Sequence, residues 1–291
     1  MHNEEFDKFY NESLIHGGTT CCPGCGGPLF WKLALRIFGP NTIIYGDGPC
    51  AMCALSFVKV PFTQIHFSFM ADGATGIAAA LRARGREDVT LISSGGDGAT
   101  ADISFGKISA AAERNENFLQ ICIDNEAYMN TGIQKSGLTP YGAWTTTTPS
   151  GKESNKKDVT MIIAAHKVPY VATASVAYPQ DLAKKLEKAM SIKGFKFLHT
   201  VIPCPTGWRF DPAKSIEVTR LGVDTWVNPL YEVEEGVLKV SRKNEAKPVQ
   251  EYLKAQGRFR LLTEEQLAYI QSEVDRKRDD LIENDGKQII Y

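Results

Sequence analysis

The sequence of 291 residues lacks the features that mark several classes of protein. It has no apolar run near the ~20 residues needed to span a bilayer. Basic clusters are also absent, since 33 Lys and Arg face 34 Asp and Glu for a formal net charge of −1. This balance gives no attraction to nucleic acid or an anionic membrane. Because Met1–Glu5 also lack the basic and apolar segments of a secretory signal, we expect a soluble, cytoplasmic protein.

Internal repeats and low-complexity linkers are missing too, while a hydrophobic content of 43% is ample for a core. The seven cysteines are an odd number in a chain without an export signal, which argues against a disulfide framework. Four of them lie between positions 21 and 50, a clustering more typical of metal ligands or catalytic thiols. Cys122 differs, because it lies in the apolar segment 118–123, where a thiol is a small core residue.

Apolar, strand-like runs alternate with helix-like segments, which predicts an α/β fold with a mostly parallel sheet flanked by helices. The expected strands cover residues 42–45, 89–92, 118–123, 168–176 and 195–202. The expected helices cover residues 27–38, 73–84, 102–114 and 179–192.

The character of the sequence changes after Trp208, where we place a boundary between a domain of residues 1–208 and a C-terminal extension of residues 209–291. Residues 209–247 read as loop-rich, with a hairpin-like segment at 230–238. A charged helix is expected from Thr263 to Glu283, opened by a capping box. The extension is too short and too polar for a second enzyme domain, so we expect it to pack on the domain or on a partner subunit.

The glycine-rich segment Ser93–Gly98 follows a predicted strand and precedes a predicted helix. Its glycines let the backbone approach a phosphate, and a helix N-terminus offers unpaired N–H groups to the anion. Asp97 supplies a carboxylate for Mg²⁺, and Asn125 ends the next strand. Because parallel strands end at one edge of a sheet, the Asn125 amide oxygen is expected to reach the same ion. A thiamin diphosphate site is indicated; a plain glycine-rich turn is the alternative.

The segment after Asn125 is polar and contains a glycine, as expected beside a cofactor. Asn130 is interpreted as a donor to a substrate carbonyl or carboxylate; the alternative is a loop residue that bonds its own backbone. Among the histidines, His66 is the one we expect to line the cleft, because the Phe-rich segment that follows leads into a predicted helix.

Two CxxC pairs have the spacing of a zinc ribbon: Cys22, Cys25, Cys50 and Cys53. Against a ribbon, the segment between Cys25 and Cys50 reads as a helix and a core strand. Cys204, framed by two prolines at the end of a predicted strand, offers a further thiolate. We therefore interpret Cys22, Cys25, Cys50 and Cys204 as ligands of a [4Fe-4S] cluster, which leaves Cys21 and Cys53 as spare thiols.

Taken together, these motifs resemble the β subunits of the multi-subunit 2-oxoacid:ferredoxin oxidoreductases, most closely those that act on pyruvate. The matching stretches are Cys22–Gly26, Gly48–Cys50, Gly96–Gly98, Asp124–Thr131, Pro203–Arg209, Pro229–Val233 and Gln256–Phe259. The resemblance covers nearly the whole chain and implies the thiamin diphosphate-binding fold, with thiamin diphosphate, Mg²⁺ and a [4Fe-4S] cluster as cofactors.

The resemblance also assigns roles to single residues. It implies that Asp97, Asn125 and the carbonyl of Ala127 bind Mg²⁺, that the four cysteines match the cluster ligands, and that Asn130 faces the substrate as the catalytic residue. The remaining positions expected at the cofactor are Gly48, Cys50, Gly96, Gly98, Ala99 and Tyr128.

The implied reaction is the reversible oxidative decarboxylation of pyruvate with coenzyme A to acetyl-CoA, CO₂ and reduced ferredoxin. The implied partners are α, γ and δ-type subunits, with ferredoxin as electron acceptor. The carboxylate that activates the cofactor is expected in the α subunit, so neither Glu113 nor Glu126 is nominated for that role. The chain alone is therefore expected to bind cofactor weakly and to catalyse nothing.

Three alternatives stay open at this point. In the first, the substrate is oxalate or a branched-chain 2-oxoacid, because a pocket built partly by another subunit sets specificity. In the second, the enzyme is of the acetolactate synthase or pyruvate decarboxylase type, although those chains are much longer and need no cluster. The third alternative is a non-catalytic zinc-ribbon module.

Overall fold

A sheet with strands and helices in alternation organises the chain, described by a computed structural model for residues 13–46 and 49–291. Gly48, one of the expected cofactor-binding residues, lies outside the described residues. The strands are β1 (Thr42–Gly46), β2 (Phe62–Gln64), β3 (Thr90–Gly96), β4 (Leu119–Asp124), β5 (Tyr170–Ser175), β6 (Lys196–Val201), β7 (Tyr231–Glu234) and β8 (Val237–Val240).

Over the described ranges these strands form one eight-stranded sheet in the order β2-β1-β3-β4-β6-β5-β7-β8. Strands β1 to β6 pair in parallel, and only the hairpin of β7 and β8 is added antiparallel, through β5. The mostly parallel α/β fold expected from the sequence is thereby confirmed.

Helices connect the strands and cover the sheet. They are α1 (Gly27–Phe38), α2 (Pro49–Leu55), α3 (Met70–Ala83), α4 (Phe105–Glu113), α5 (Val159–Ala164), α6 (Pro179–Ser191), α7 (Pro205–Trp208), α8 (Ser215–Asp224), α9 (Val249–Lys254) and α10 (Glu264–Glu283). Thr263 caps α10 with the expected capping box, paired with Gln266. None of the helices in the described ranges has the length and apolar character to cross a membrane.

The core lies on both faces of the sheet, because successive side chains of a strand point to opposite sides. Ile92 and Ile121 pack on one face together with the buried stripe of α1, whereas Leu91 and Cys122 pack on the other. Cys122 is fully buried, as expected for a core thiol. Such two-sided burial is typical of parallel sheets and leaves the carboxyl ends of the strands as the open edge.

The structure departs from the predicted boundaries around the glycine-rich segment. Strand β3 continues through Ser93–Gly96, because these small residues pair with β1 and β4, so the predicted turn is shorter than expected. The helix predicted over 102–114 is interrupted: a π-turn at Ala99–Ile103 comes first, and α4 begins only at Phe105. π-turns of this kind interrupt regular helices most often at functional sites.

A second departure concerns residues 209–247, which the sequence presented as loop-rich. They contain the ten-residue helix α8, which was not expected, besides the hairpin of β7 and β8, which confirms the hairpin predicted at 230–238. Polar residues at exposed positions of α8 hide its apolar stripe in the sequence, but Val218 and Val223 are buried there. A third cluster of apolar side chains joins this part to the sheet domain, with Trp208, Tyr252 and Phe259 among its members.

Candidate functional site

Four neighbouring strands end beside one another at the carboxyl edge of the sheet, and a residue of interest follows each. In the spatial order β1-β3-β4-β6, the residues that come after the strand ends are Cys50, Asp97, Asn125 and Cys204. Ile123 of β4 is directly opposite Gly96 of β3, so the two inner strands end in register. Topology alone thus brings together residues up to 154 positions apart, as open parallel sheets do at their ligand sites.

Three oxygen atoms converge at the ends of the two inner strands. The Asn125 side-chain oxygen lies 3.1 Å from Oδ1 of Asp97 and 2.7 Å from the carbonyl oxygen of Ala127, with no hydrogen to share between them. Only a reversed amide would donate hydrogen bonds to both. An octahedral Mg²⁺ with ligands at about 2.0–2.1 Å places adjacent ligand oxygens about 2.9 Å apart. The spacing of the Asn125 oxygen from each of the other two therefore fits adjacent ligands of such an ion.

Asp97 needs a cation or a proton at this position. Its side chain is 3% exposed, and burial raises the pKa of its carboxyl well above the usual range, with the nearby Asp124 adding to the shift. The hydroxyl of Ser136 donates a hydrogen bond to the oxygen Oδ2. That bond leaves Oδ1 directed toward Asn125, which is the arrangement a metal ligand requires.

A small cavity of about 40 Å³ opens over these oxygens. Its lining contains Cys50, Phe67, Gly96, Asp97, Gly98, Ala99, Ile123, Asn125, Ala127, Tyr128, Met129, Asn130 and Thr131. Every cofactor-binding residue expected from the sequence is in that set, apart from Gly48. Gly98 is required here, because a Cβ atom at this position would overlap the Tyr128 ring. Tyr128 also donates a hydrogen bond to the Gly98 carbonyl at 3.2 Å.

The expectation for His66 was wrong. His66 is exposed and caps a short turn at Phe67–Phe69, where its Nδ1 lies 3.0 Å from the hydroxyl of Ser68. Phe67 takes the position in the cavity wall instead. Within this segment Phe67, not the histidine, faces the site.

The cysteines converge on an adjoining cavity of about 230 Å³. Six of the seven thiols line it: Cys21, Cys22, Cys25, Cys50, Cys53 and Cys204. None is in a disulfide. Gly24 forms the turn between Cys22 and Cys25 with φ +74°, and a side chain there would meet the Pro212 carbonyl oxygen at 2.6 Å. The turn is thus held against the chain that follows Cys204.

Two of the sulfurs accept backbone hydrogen bonds: Gly27 N–H donates to Cys25 Sγ at 3.5 Å, and Gly207 N–H donates to Cys204 Sγ at 3.4 Å. Such donors stabilise thiolates that bind iron. Burial raises the pKa of Cys50 to about 12, with the thiols around it adding to the shift. Ionisation of all these groups together therefore needs a cationic partner in the cavity.

No three His, Cys, Asp or Glu side chains within the described ranges surround a single point as the ligands of one metal ion would. The thiols instead line the walls of a space much larger than one ion. A polynuclear cluster held from several sides matches this distribution of sulfur better than a single zinc ion does.

The two cavities share a wall. Five residues line both: Cys50, Ile123, Asn125, Met129 and Asn130. Asn130 is exposed at this boundary. Its amide is therefore open to a ligand that enters between the thiols and the three oxygens of Asp97, Asn125 and Ala127, which we call the oxygen site. Adjacent placement of this kind is what electron transfer from an organic cofactor to a cluster requires.

Sequence reasoning missed a buried group of charges beneath the oxygen site. Glu126 contacts Arg258 at 2.5 Å and Lys156 at 3.0 Å, while Asp124 accepts a contact from His199 at 2.8 Å. Both segments belong to stretches that resemble the family, Asp124–Thr131 and Gln256–Phe259, but no sequence pattern predicts that they contact each other. Their pairing spans 132 residues and becomes visible only in the fold.

A further cavity, of about 380 Å³, lies elsewhere. It separates α10 from the sheet and is bordered by Lys156, His199 and Tyr231. Its charged lining residues are all in ion pairs: Lys156 and His199 in those described above, and the others in Lys157–Asp102, Lys277–Asp158 and Arg276–Glu273.

Comparison with known proteins is consistent with this geometry. The family described as thiamine pyrophosphate enzyme, C-terminal TPP binding domain, matches residues 46–200, just over half of the chain. The chain is 47% identical over 279 residues to pyruvate synthase subunit PorB of Methanothermobacter marburgensis, covering 92% of this chain and 97% of the relative. It is 42% identical over 278 residues to ketoisovalerate oxidoreductase subunit VorB of Pyrococcus furiosus, covering 89% of each.

Among solved structures, a similar fold occurs in the 2-oxoglutarate:ferredoxin oxidoreductase from Magnetococcus marinus. The TM-score is 0.61 at 24% identity, covering 72% of this chain and 79% of the other. At that identity the likeness concerns the fold alone.

Proposed function

Since the chain belongs to the β subunits of the 2-oxoacid:ferredoxin oxidoreductases, we propose that it holds thiamin diphosphate, Mg²⁺ and a [4Fe-4S] cluster in the oxidation of pyruvate. The products would be acetyl-CoA, CO₂ and reduced ferredoxin, and the reaction is reversible. The convergence of three oxygen atoms from Asp97, Asn125 and Ala127 carries the proposal.

In this proposal the oxygen site holds Mg²⁺ and, through it, a diphosphate. Asp97 brings the negative charge, Asn125 and Ala127 bring neutral oxygens, and Ser136 holds the carboxylate in place. When bound, thiamin diphosphate supplies a nucleophilic carbon and a sink for the electrons of the breaking C–C bond. Gly98 leaves room for the Tyr128 ring, which forms part of the cavity wall where the diphosphate would lie.

Asn130 is proposed to orient the 2-oxoacid. Its amide is exposed at the boundary of the two cavities, where it can donate to a carboxylate or carbonyl oxygen. Phe67 and Met129 give the cavity apolar walls and thereby exclude water from the reacting carbon.

The proposed cluster ligands are Cys22, Cys25, Cys50 and Cys204. Cys25 and Cys204 accept the backbone N–H···S bonds, and Cys50 lines the wall shared with the oxygen site. Of the four, only Cys50 also lines the cavity over the oxygen site, so a cluster that it binds would adjoin the cofactor. Cys21 and Cys53 line the same space and remain spare thiols in this assignment.

Pyruvate is the proposed substrate because a pyruvate synthase subunit is 47% identical to this chain. A branched-chain 2-oxoacid is the second candidate, favoured by the 42% identity to a ketoisovalerate oxidoreductase subunit. We propose α, γ and δ-type subunits as partners, with coenzyme A as co-substrate and ferredoxin as acceptor. The carboxylate that activates the cofactor is assigned to the α subunit.

The test is an anaerobic assay of iron, acid-labile sulfide, zinc, magnesium and thiamin in the purified complex, beside a Cys204→Ala variant. The expected result is about four irons and four sulfides per chain beyond those of the other subunits, lost in the variant. One zinc per chain that persists in the variant would overturn the cluster. Turnover with pyruvate and with 2-ketoisovalerate then decides the substrate, and turnover by the isolated chain would contradict the division of labour.

A further inference from the structure

Glu126 has an unusual backbone conformation at the centre of the oxygen site. It lies between Asn125 and Ala127, the two residues that contribute neutral oxygens, and its φ is +67°. Residues with a Cβ atom rarely adopt this left-handed region, because the side chain crowds the following carbonyl group. The strain has a consequence for the site, since this one residue sets the angle between the Asn125 side chain and the Ala127 carbonyl.

Buried interactions hold Glu126 from every side. Its N–H donates to Oδ1 of Asp124 at 2.8 Å, and its carbonyl accepts from the Thr139 hydroxyl at 2.7 Å. The carboxylate is fully buried and contacts Arg258 at 2.5 Å and Lys156 at 3.0 Å. A strained conformation persists only when its surroundings over-determine it, and these contacts do so.

Arg258 lies in the C-terminal part of the chain and contacts Glu126, the residue between Asn125 and Ala127. It is 2% exposed, and its guanidinium lies 4.2 Å from the centre of the Trp208 ring. The indole N–H of Trp208 donates in turn to the carbonyl of Asn125 at 2.9 Å. Arg258 thus supports Glu126 directly and Asn125 through Trp208. The planar fork of arginine suits both tasks, whereas a lysine ammonium cannot stack in this way.

On the basis of the proposed function, we infer that Arg258 is a positioning residue for Mg²⁺: it fixes Glu126 in the left-handed conformation that turns the oxygens of Asn125 and Ala127 toward Asp97. It touches neither cofactor nor substrate. The C-terminal part of the chain is therefore required to shape a metal site whose ligands all lie in the first half.

The experiment uses the assembled complex after removal of Mg²⁺ and thiamin diphosphate. Arg258→Met, Arg258→Lys and Glu126→Gln are compared with wild type by calorimetric titration of Mg²⁺ at saturating thiamin diphosphate. The matched control is Arg242→Met, because Arg242 also pairs with a carboxylate, Asp224 at 3.4 Å, and stacks on Tyr178 at 4.6 Å, away from the site.

We expect the Kd of Mg²⁺ to rise about tenfold or more in Arg258→Met and Glu126→Gln, less in Arg258→Lys, and not at all in Arg242→Met. The melting temperature of the cofactor-free complex separates the two effects, since a purely structural role would lower it in Arg258→Met without changing the Kd of Mg²⁺ in that variant. If the wild-type complex binds Mg²⁺, an unchanged Kd in Arg258→Met would overturn the inference. If that variant does not assemble, an unchanged Kd in Arg258→Lys overturns it. Failure of wild type to bind Mg²⁺ would overturn the proposed function itself.

Discussion

The indole nitrogen of Trp208 donates a hydrogen bond to the backbone carbonyl of Asn125 at 2.9 Å. Trp208 is four residues beyond Cys204, and its own N–H bonds the Cys204 carbonyl at 2.8 Å. A single short helix, α7, therefore joins a proposed cluster ligand to a proposed ligand of Mg²⁺. Trp208 thus makes a hydrogen bond to one residue of each proposed site.

Replacement of Trp208 by phenylalanine should couple a loss of stability to a loss of metal affinity. The variant leaves the buried Asn125 carbonyl without its donor, at a cost of about 1–3 kcal/mol. We expect a lower melting temperature of the complex and weaker Mg²⁺ binding. Trp226→Phe is the control, because that indole donates a similar bond to the Asn244 carbonyl at 3.1 Å, far from the site. Equal effects of both variants on the Kd would refute the coupling.

The choice of cluster ligands can be tested with serine substitutions at the thiols. Cys50→Ser should lose the cluster, whereas Cys21→Ser and Cys53→Ser should keep about four irons per chain. A zinc ribbon predicts the reverse for Cys53, which belongs to its CxxC pair. Iron and zinc assays on the anaerobically purified complexes decide the matter. Cys122→Ser, at a core position, is expected to keep all its iron.

Substitution of Gly98 by alanine should impair binding of the diphosphate. The added methyl group overlaps the Tyr128 ring, which must then move within the cavity wall. We expect the Kd of the Mg²⁺ complex of thiamin diphosphate to rise about tenfold, or about 1.4 kcal/mol, by calorimetric titration. Gly76→Ala is the control: Gly76 lies in α3 with no atom near its potential Cβ, and alanine there should be neutral or slightly stabilising. An unchanged Kd in Gly98→Ala would show that the ring gives way freely.

A buried lysine should make stability depend on pH above neutrality. Burial lowers the pKa of Lys196 from 10.5 to about 8. Below pH 8 the lysine is charged in both states, and the full cost of its burial is present. Between pH 8 and 10.5 only the unfolded chain holds this proton, so the free energy of unfolding gains a contribution that rises with pH.

Lys196→Met removes that dependence. The variant should be more stable than wild type at pH 7, by up to about 3 kcal/mol, and the advantage should shrink by pH 9.5. Scanning calorimetry of the complex at the two pH values measures the difference. The exposed Lys254→Met serves as control and should show no such trend. A constant difference between pH 7 and 9.5 would contradict the assignment.

The sequence predicts most of the parallel sheet, because β1 and β3 to β6 each contain a short apolar run, whereas the short edge strand β2 contains none and is not predicted. The same patterns place Asp97 and Asn125 at strand ends, and their proximity then follows from the topology of parallel strands. The residues expected to line the two cavities lie in short sequence motifs, which is why the sequence reveals them.

Interactions between distant segments could not be predicted. Arg258 lies in a short turn without a distinctive pattern, and nothing local identifies its partner 132 residues earlier. The left-handed backbone of Glu126 is also hidden, because glutamate gives no sign of such a conformation. The π-turn at Ala99–Ile103 escapes for a similar reason, since the backbone path there depends on tertiary contacts.

The strand order β1-β3-β4-β6 also separates sulfur donors from oxygen donors along the edge of the sheet. The outer two strands are followed by Cys50 and Cys204, and the inner two by Asp97 and Asn125. Soft sulfur donors select iron, and hard oxygen donors select magnesium. Neighbouring strands are held about 4.8 Å apart by their hydrogen bonds, so the two inner strands can present both oxygen donors to one ion. The strand order thus groups the hard donors at the centre of this edge and leaves a soft donor on either side of them.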